Sequence, residues 1–164
     1  MKHPIAPVYD TRSRVLILGS FPSVKSREVG FFYGHPQNRF WRVIAAVVGD
    51  SVPATVEEKK AFLLRHRIAL WDVIASCEVD ASADSSIRDA VANDISPILG
   101  GSEICSVFTN GATAHRLYMK HIYPATGVSD VCLPSTSPAN AAWSVERLIG
   151  AWSVVGRRLM RYIG

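Results

Sequence analysis

Residues 31–41 read FFYGHPQNRFW: aromatics, a turn, His-Pro, an amide and an arginine, then two more aromatics. Phe40 and Trp41 stand where a helix should start and read as core. Phe32 and Tyr33 lie beside a polar loop, where aromatic faces either fill a satellite core or stack on nucleic-acid bases. Asn38 either caps the following helix by accepting a backbone N–H or uses its amide to orient a water or a base edge. His35, held extended by Pro36, is either a structural donor or a catalytic group. Residues 133–140, LPSTSPAN, place small hydroxyl residues between two prolines. Such a loop either caps a helix start or grips phosphates with its hydroxyls and N–H groups. Asp72, in LWDV, is either a buried cap or a reader of a base.

Other chemistries lack their signatures. There is no G-x-x-x-x-G-K-[ST] phosphate loop and no G-x-S-x-G elbow. Cys77, Cys105 and Cys132 have no C-x-x-C spacing, and Cys105 and Cys132 fall in apolar runs that suit reduced core residues. His3, His35, His66, His115 and His121 show no metal-ligand spacing with carboxylates. The expectation is that no metal and no cofactor is used.

The 164 residues fit one domain, residues 1–164, with a full hydrophobic core. Hydrophobic residues make up 48% and charged residues 20%, which excludes a disordered chain. The formal charge of +4 and pI near 9.1 suit a polyanionic partner. MKHPIAPVYDTRSRV lacks the apolar core of a signal peptide, and no apolar run reaches membrane-span length. A cytoplasmic location is expected.

Four continuous apolar runs read as strands covered on both faces: 15–20, 68–74, 104–110 and 130–137. Helical patterns lie between them. One follows Asn38 and stops at Gly49-Asp50, and one opens on the Thr55–Glu58 capping box and runs to about His66. Another opens at Ser86 with Asp89 and runs toward Pro97, and a fourth spans Ala112 to His121. In the last helix Leu148, Trp152, Val155, Leu159 and Tyr162 form one stripe, with Arg147, Arg158 and Arg161 on another face. Alternating strands and helices predict a mostly parallel α/β sheet, whose ligands gather at the carboxyl ends of the strands. Those ends carry GSFPS, LWDV, TNG and LPSTSPAN. A loop of roughly 18 residues after the first strand is long enough to be functional.

Together these motifs resemble the uracil-DNA glycosylase superfamily. GSFPS…FFYGHPQNRFW is similar to the first motif of its mismatch-specific branch, and LPSTSPAN to the second, which clamps the DNA backbone and inserts into the helix. LWDV and FTNGATA fall where the superfamily has its base-reading strand and third strand-helix junction. The likeness runs from about Val15 to Arg161. The mismatch-specific enzymes end their first strand in Gly-x-Asn-Pro, whose Asn positions the attacking water; here Phe21 stands in its place. The second motif lacks the His of the main uracil enzymes. The pattern FPS with HPxNRFW instead resembles the hypoxanthine-DNA (deoxyinosine) glycosylase branch. Members with iron–sulfur clusters carry extra cysteines that three dispersed ones do not match.

The resemblance implies a three-layer sandwich with a four-stranded, mostly parallel sheet and helices on both faces. It implies extrusion of a deaminated base from double-stranded DNA and cleavage of its C1′–N bond. A monomer is the default expectation for an enzyme that must surround a flipped nucleotide. Asn38 would place the water, and His35 or the backbone N–H of Phe21 would donate to the departing purine. Phe21, Phe32, Tyr33, Asp72 and Asn110 would form the base pocket, with Tyr33 stacking and Asp72 accepting from a ring N–H. Phosphates would meet Ser20, Ser23, Ser26, Ser135, Thr136, Ser137 and Asn140, with positive charge from Lys25, Arg27 and Arg39. Competing expectations are a uracil (G·U mismatch) glycosylase, a non-catalytic binder of damaged DNA and an enzyme acting on free nucleosides.

Overall fold

A computed structural model of the protein describes residues 2–78 and 88–160. Strand β1 (Val15–Gly19) is apolar and buried throughout. Helices α1 (Val24–Val29), α2 (Phe40–Val48) and α3 (Val56–Arg65) follow. Then come β2 (Ile68–Asp72), β3 (Ile74–Glu78), β4 (Arg88–Ala92) and α4 (Ser96–Gly100). β5 (Ser106–Asn110), α5 (Ala112–His121), α6 (Tyr123–Thr126), β6 (Asp130–Leu133) and α7 (Val145–Met160) complete the order.

The main sheet runs β2-β1-β5-β6, with every pairing parallel. Side chains alternate across it. Val15 and Ile17 join Phe40, Ile44, Leu148 and Trp152 on one face, while Leu16 and Leu18 join Ile98, Leu117 and Tyr118 on the other. Helices therefore cover both faces, as expected for a parallel sheet. The register sets Gly19 opposite Asp72, Leu18 opposite Thr109, and Asn110 opposite Leu133. All four carboxyl ends thus meet along one edge. Gly156 lets α7 approach α2: an added Cβ would stand 3.2 Å from the Val47 side chain and carbonyl.

The helix after Asn38 ends at Gly49 with φ 74°, a left-handed cap suited to glycine. Thr55 Oγ1 accepts from Glu58 N at 3.1 Å, as the expected capping box requires, while Glu58 Oε2 accepts from Ala54 N at 2.9 Å, one residue before the cap. Leu148, Trp152 and Val155 are the buried stripe of α7, while Tyr162 and Arg161 lie outside the described residues.

Several expectations change. The run 68–74 divides at Val73, and β3 leaves the main sheet to pair antiparallel with β4. Residues 88–92 are therefore strand, not the expected helix, and Ser86 lies outside the described residues. Cross-strand pairing overrides the weak Ser-Asp start signal there. The fourth strand stops at Leu133, because Pro134 has no N–H for the ladder. α1 appears inside the expected loop, capped by Ser23, whose side chain accepts from Ser26 N. Its Val24 and Val29 are exposed, so no buried stripe betrayed it. Cys105 and Cys132 are exposed and only Cys77 is buried, correcting their reading as core. Cys132 sits on edge strand β6, and Cys105 just precedes β5. Among the described residues, no helix is long and apolar enough to cross a membrane.

Candidate active site

A cavity of about 430 Å³ opens at the carboxyl edge of the sheet. The first-strand loop, the end of β2, the end of β5 and the loop after β6 all line it. Its size suits a small aromatic ligand.

Asn38 stands in its wall, half-buried, held by a chain of hydrogen bonds from three segments. The N–H of Phe40, the first residue of α2, donates to Asn38 Oδ1 at 2.9 Å. The N-cap position itself falls on Arg39, whose side chain makes no cap hydrogen bond, so Asn38 stands one residue before the expected cap. The Phe40 N–H also fixes which end of the Asn38 amide is oxygen. The Thr136 hydroxyl donates to the same oxygen at 2.9 Å. Asn110 Nδ2 donates to Thr136 Oγ1 at 3.0 Å, and Thr136 N donates back to Asn110 Oδ1 at 3.0 Å. Both lone pairs of Asn38 Oδ1 are thereby used. What Asn38 offers the cavity is its NH2 group, a donor and not an acceptor. Chained hydrogen bonds of this kind polarise one another and hold one orientation.

His35 presents the same polarity. Its Nδ1 accepts from Gln37 N at 3.1 Å, which places the proton on Nε2. The cavity wall thus carries two fixed donor groups, Asn38 Nδ2 and His35 Nε2.

The acceptor lies across the cavity floor. Asp72 is buried at the end of β2. His3 Nε2 meets Asp72 Oδ2 at 2.7 Å, and His3 Nδ1 accepts from Ile5 N at 3.1 Å. The proton of His3 is therefore on Nε2 and is donated to the carboxylate. Asp72 Oδ1 lies over Gly19, where an added Cβ would stand 2.4 Å from that oxygen and 3.1 Å from the Tyr33 hydroxyl. Only glycine leaves room for the carboxylate. Sequence reasoning considered His3 only as a metal ligand; a single histidine 69 residues away gives no spacing signal for this pair.

The aromatic wall divides. Phe32 is 2% exposed and packs edge-on to Phe31, so it is mainly core that touches the cavity. Tyr33 is half-buried, with backbone φ 53° and its ring stacked on Phe40 at 4.2 Å. A non-glycine residue in the left-handed region is uncommon and marks a place where the surroundings dictate the backbone. Phe21 lines the cavity, edge-on to His3 at 5.8 Å, with the Arg27 guanidinium 5.9 Å from its ring centroid.

Several residues read as phosphate ligands are occupied within the fold. Thr136 is fully buried and its hydroxyl is spent as described. Arg39 is 9% exposed. Its guanidinium donates to the carbonyls of Ser137 at 2.8 Å, Asn140 at 3.0 Å, Thr136 at 3.4 Å, and Trp143. It therefore ties the first motif to the second and shapes the loop after β6. Ser26 is buried; its hydroxyl accepts from Gly34 N at 3.0 Å and meets Ser23 Oγ at 3.1 Å. Asn140 Nδ2 donates to Ser135 O at 3.0 Å. Ser135 and Ser137 accept from Ser137 N and Ala139 N, each at 3.1 Å, which leaves their hydroxyl hydrogens to donate. Ser20 lines the cavity; Lys25 is outside it, 3.7 Å from Glu28 on exposed α1. On α7, Arg158 donates to Ser106 Oγ at 2.9 Å, at the opposite end of β5 from the cavity. Arg147 stacks on Trp143 at 4.2 Å. No group of three metal-ligating side chains occurs among the described residues.

A family model described as the uracil DNA glycosylase superfamily matches residues 6–154. The chain belongs to the uracil DNA glycosylase superfamily. Within this superfamily it is 33% identical to proteins named hypoxanthine DNA glycosylase from Methanosarcina acetivorans and Methanosarcina barkeri. Each match covers 96% of this chain and 99% of the relative. A solution NMR structure from Methanosarcina acetivorans, described provisionally as a uracil DNA glycosylase, superposes with a TM-score of 0.82 at 33% identity. That superposition covers 98% of this chain and 99% of the other. The expected fold and family are thus found.

Proposed function

We propose that this protein is a DNA glycosylase that extrudes a deaminated base, hypoxanthine, from duplex DNA and hydrolyses its N-glycosidic bond to leave an abasic site. Family membership and the names of the full-length relatives support glycosylase chemistry on hypoxanthine. The observation that carries the substrate is the polarity of the cavity: donors at Asn38 and His35, an acceptor at Asp72. Hypoxanthine is complementary, with acceptors at O6, N3 and N7 and a hydrogen on N1.

Extrusion costs roughly a few kcal/mol, less for a mispaired base. Tyr33, backed by Phe40, stacks on the extruded ring. Ser20, Ser135 and Ser137 donate to the flanking phosphates, and Arg39 keeps the second loop in shape for them. The C1′–N9 bond then breaks with its electron pair moving to the base, so positive charge develops on the sugar and negative charge on hypoxanthine. Fixed donors aimed at such charge are the largest catalytic term in many enzymes. Asn38 Nδ2 and His35 Nε2 are those donors. Because the carbonyl of Asn38 is already saturated, its amide stabilises the departing base and does not draw a proton from water. Water adds to C1′ and gives its proton to solvent, and the hypoxanthine anion takes up a proton from solvent as it leaves; a dissociative transition state asks little push of the water.

The test is single-turnover cleavage of duplex oligonucleotides carrying one hypoxanthine or one uracil. Release of hypoxanthine is expected. Release of uracil alone moves the protein to the mismatch branch, and tight binding with no cleavage makes it a damage sensor.

A further inference from the structure

The acceptor that reads the base is steered by a residue from outside the motifs. Residues 2–8 lie along β2 and β3: Val8 bridges Leu70, Lys2 bridges Ser76, and His3 N donates to Ala75 O at 2.6 Å. Trp71 Nε1 holds the Ile5 carbonyl at 3.1 Å. This lacing delivers His3 behind the cavity, with 3% of its side chain exposed. From there its ring touches three parts of the base pocket. It lies edge-on to Phe21 at 5.8 Å, 6.2 Å from Phe32, and donates to Asp72 Oδ2 at 2.7 Å.

We infer that His3 is the positioning residue for base recognition: it takes one oxygen of Asp72 and so fixes the other as an acceptor for the ring N–H of a deaminated purine. The inference rests on the proposed function. Two constraints make the carboxylate single-valued. The Ile5 N–H forces His3 to carry its proton on Nε2, so the imidazole faces Asp72 only as a donor. Gly19 leaves the other oxygen, Oδ1, the space it occupies over the cavity floor. Hypoxanthine has a hydrogen on N1 and adenine a bare lone pair. An anchored carboxylate oxygen accepts from the first and repels the second, whereas an unanchored one can turn away from either.

The experiment is a double-mutant cycle on hypoxanthine release under single-turnover conditions, with His3→Ala, His3→Gln, Asp72→Ala and the double His3→Ala/Asp72→Ala. His3→Ala is expected to lose about 10-fold or more, the scale of one hydrogen bond to a charged group. His3→Gln, whose amide can also donate, is expected to recover most of that loss. In the Asp72→Ala background, His3→Ala is expected to change the rate less than about twofold, because contacting residues that act through one another are not additive. Equal loss from His3→Ala in both backgrounds would mean a merely structural role and overturn the inference, as would full activity of His3→Ala. Wild-type protein that leaves hypoxanthine in place refutes the functional reading itself.

Discussion

The Thr136 hydroxyl donates to Asn38 Oδ1 at 2.9 Å, joining residues 98 positions apart in the chain. It is the middle of a relay from Asn110 to Asn38, and it turns the Asn38 amide so that only hydrogens face the cavity.

Thr136→Val keeps the shape and removes the relay. Asn110 loses an acceptor and Asn38 loses a donor, in a fully buried setting. The expected result is a fall in single-turnover rate of about 10-fold or more, a stability loss of about 1–3 kcal/mol, and unchanged affinity for DNA. Thr136→Ser should restore the rate. Weakened DNA affinity with a normal rate would return Thr136 to the phosphates.

Arg39→Ala should act on the fold before it acts on DNA. It strips a charged donor from carbonyls of the 136–143 segment. A stability loss of at least about 3 kcal/mol is expected, since hydrogen bonds to charged groups are worth roughly 1.5–3 kcal/mol each. The slope of log affinity against log salt should stay as in the wild type. A slope smaller by about one, with unchanged melting temperature, would mark Arg39 as a phosphate contact.

Gly19→Ala tests the cavity floor. Its Cβ would fall 2.4 Å from Asp72 Oδ1, so the carboxylate must leave its place. The expected outcome is at least about 10-fold loss on hypoxanthine in a protein that still folds, the scale of one hydrogen bond to a charged group. A normal rate would show that the position of Asp72 does not matter.

Much of this was legible in the sequence where identity and local pattern coincide. Apolar runs gave the four strands of the main sheet, and the strand ends gave the cavity. What stayed hidden depends on partners without identity or spacing. Arg39 read as a cation for DNA because its true partners are backbone carbonyls, which every residue carries. Thr136 and Asn38 are both correctly placed at the cavity, but only their register in space says that the hydroxyl is spent on the amide. β3 and β4 were missed because each is shaped by the other: three residue pairs join them across shifted registers that no local period announces. His3 was missed because its contact with Asp72 depends on how residues 2–8 lace onto β2 and β3.

The central claim is that Asn38 works as a donor. The most direct measurement compares single-turnover release of hypoxanthine by wild type, Asn38→Ala and Asn38→Asp. Aspartate keeps an oxygen that can accept from the Phe40 N–H two residues on, so the start of α2 should hold. It replaces the NH2 with an acceptor of negative charge. Both variants are expected to lose at least ~10²-fold, the scale of one preorganised polar group, with Asp no better than Ala. An Asp variant close to wild type would mean that Asn38 serves the water, and would contradict the account.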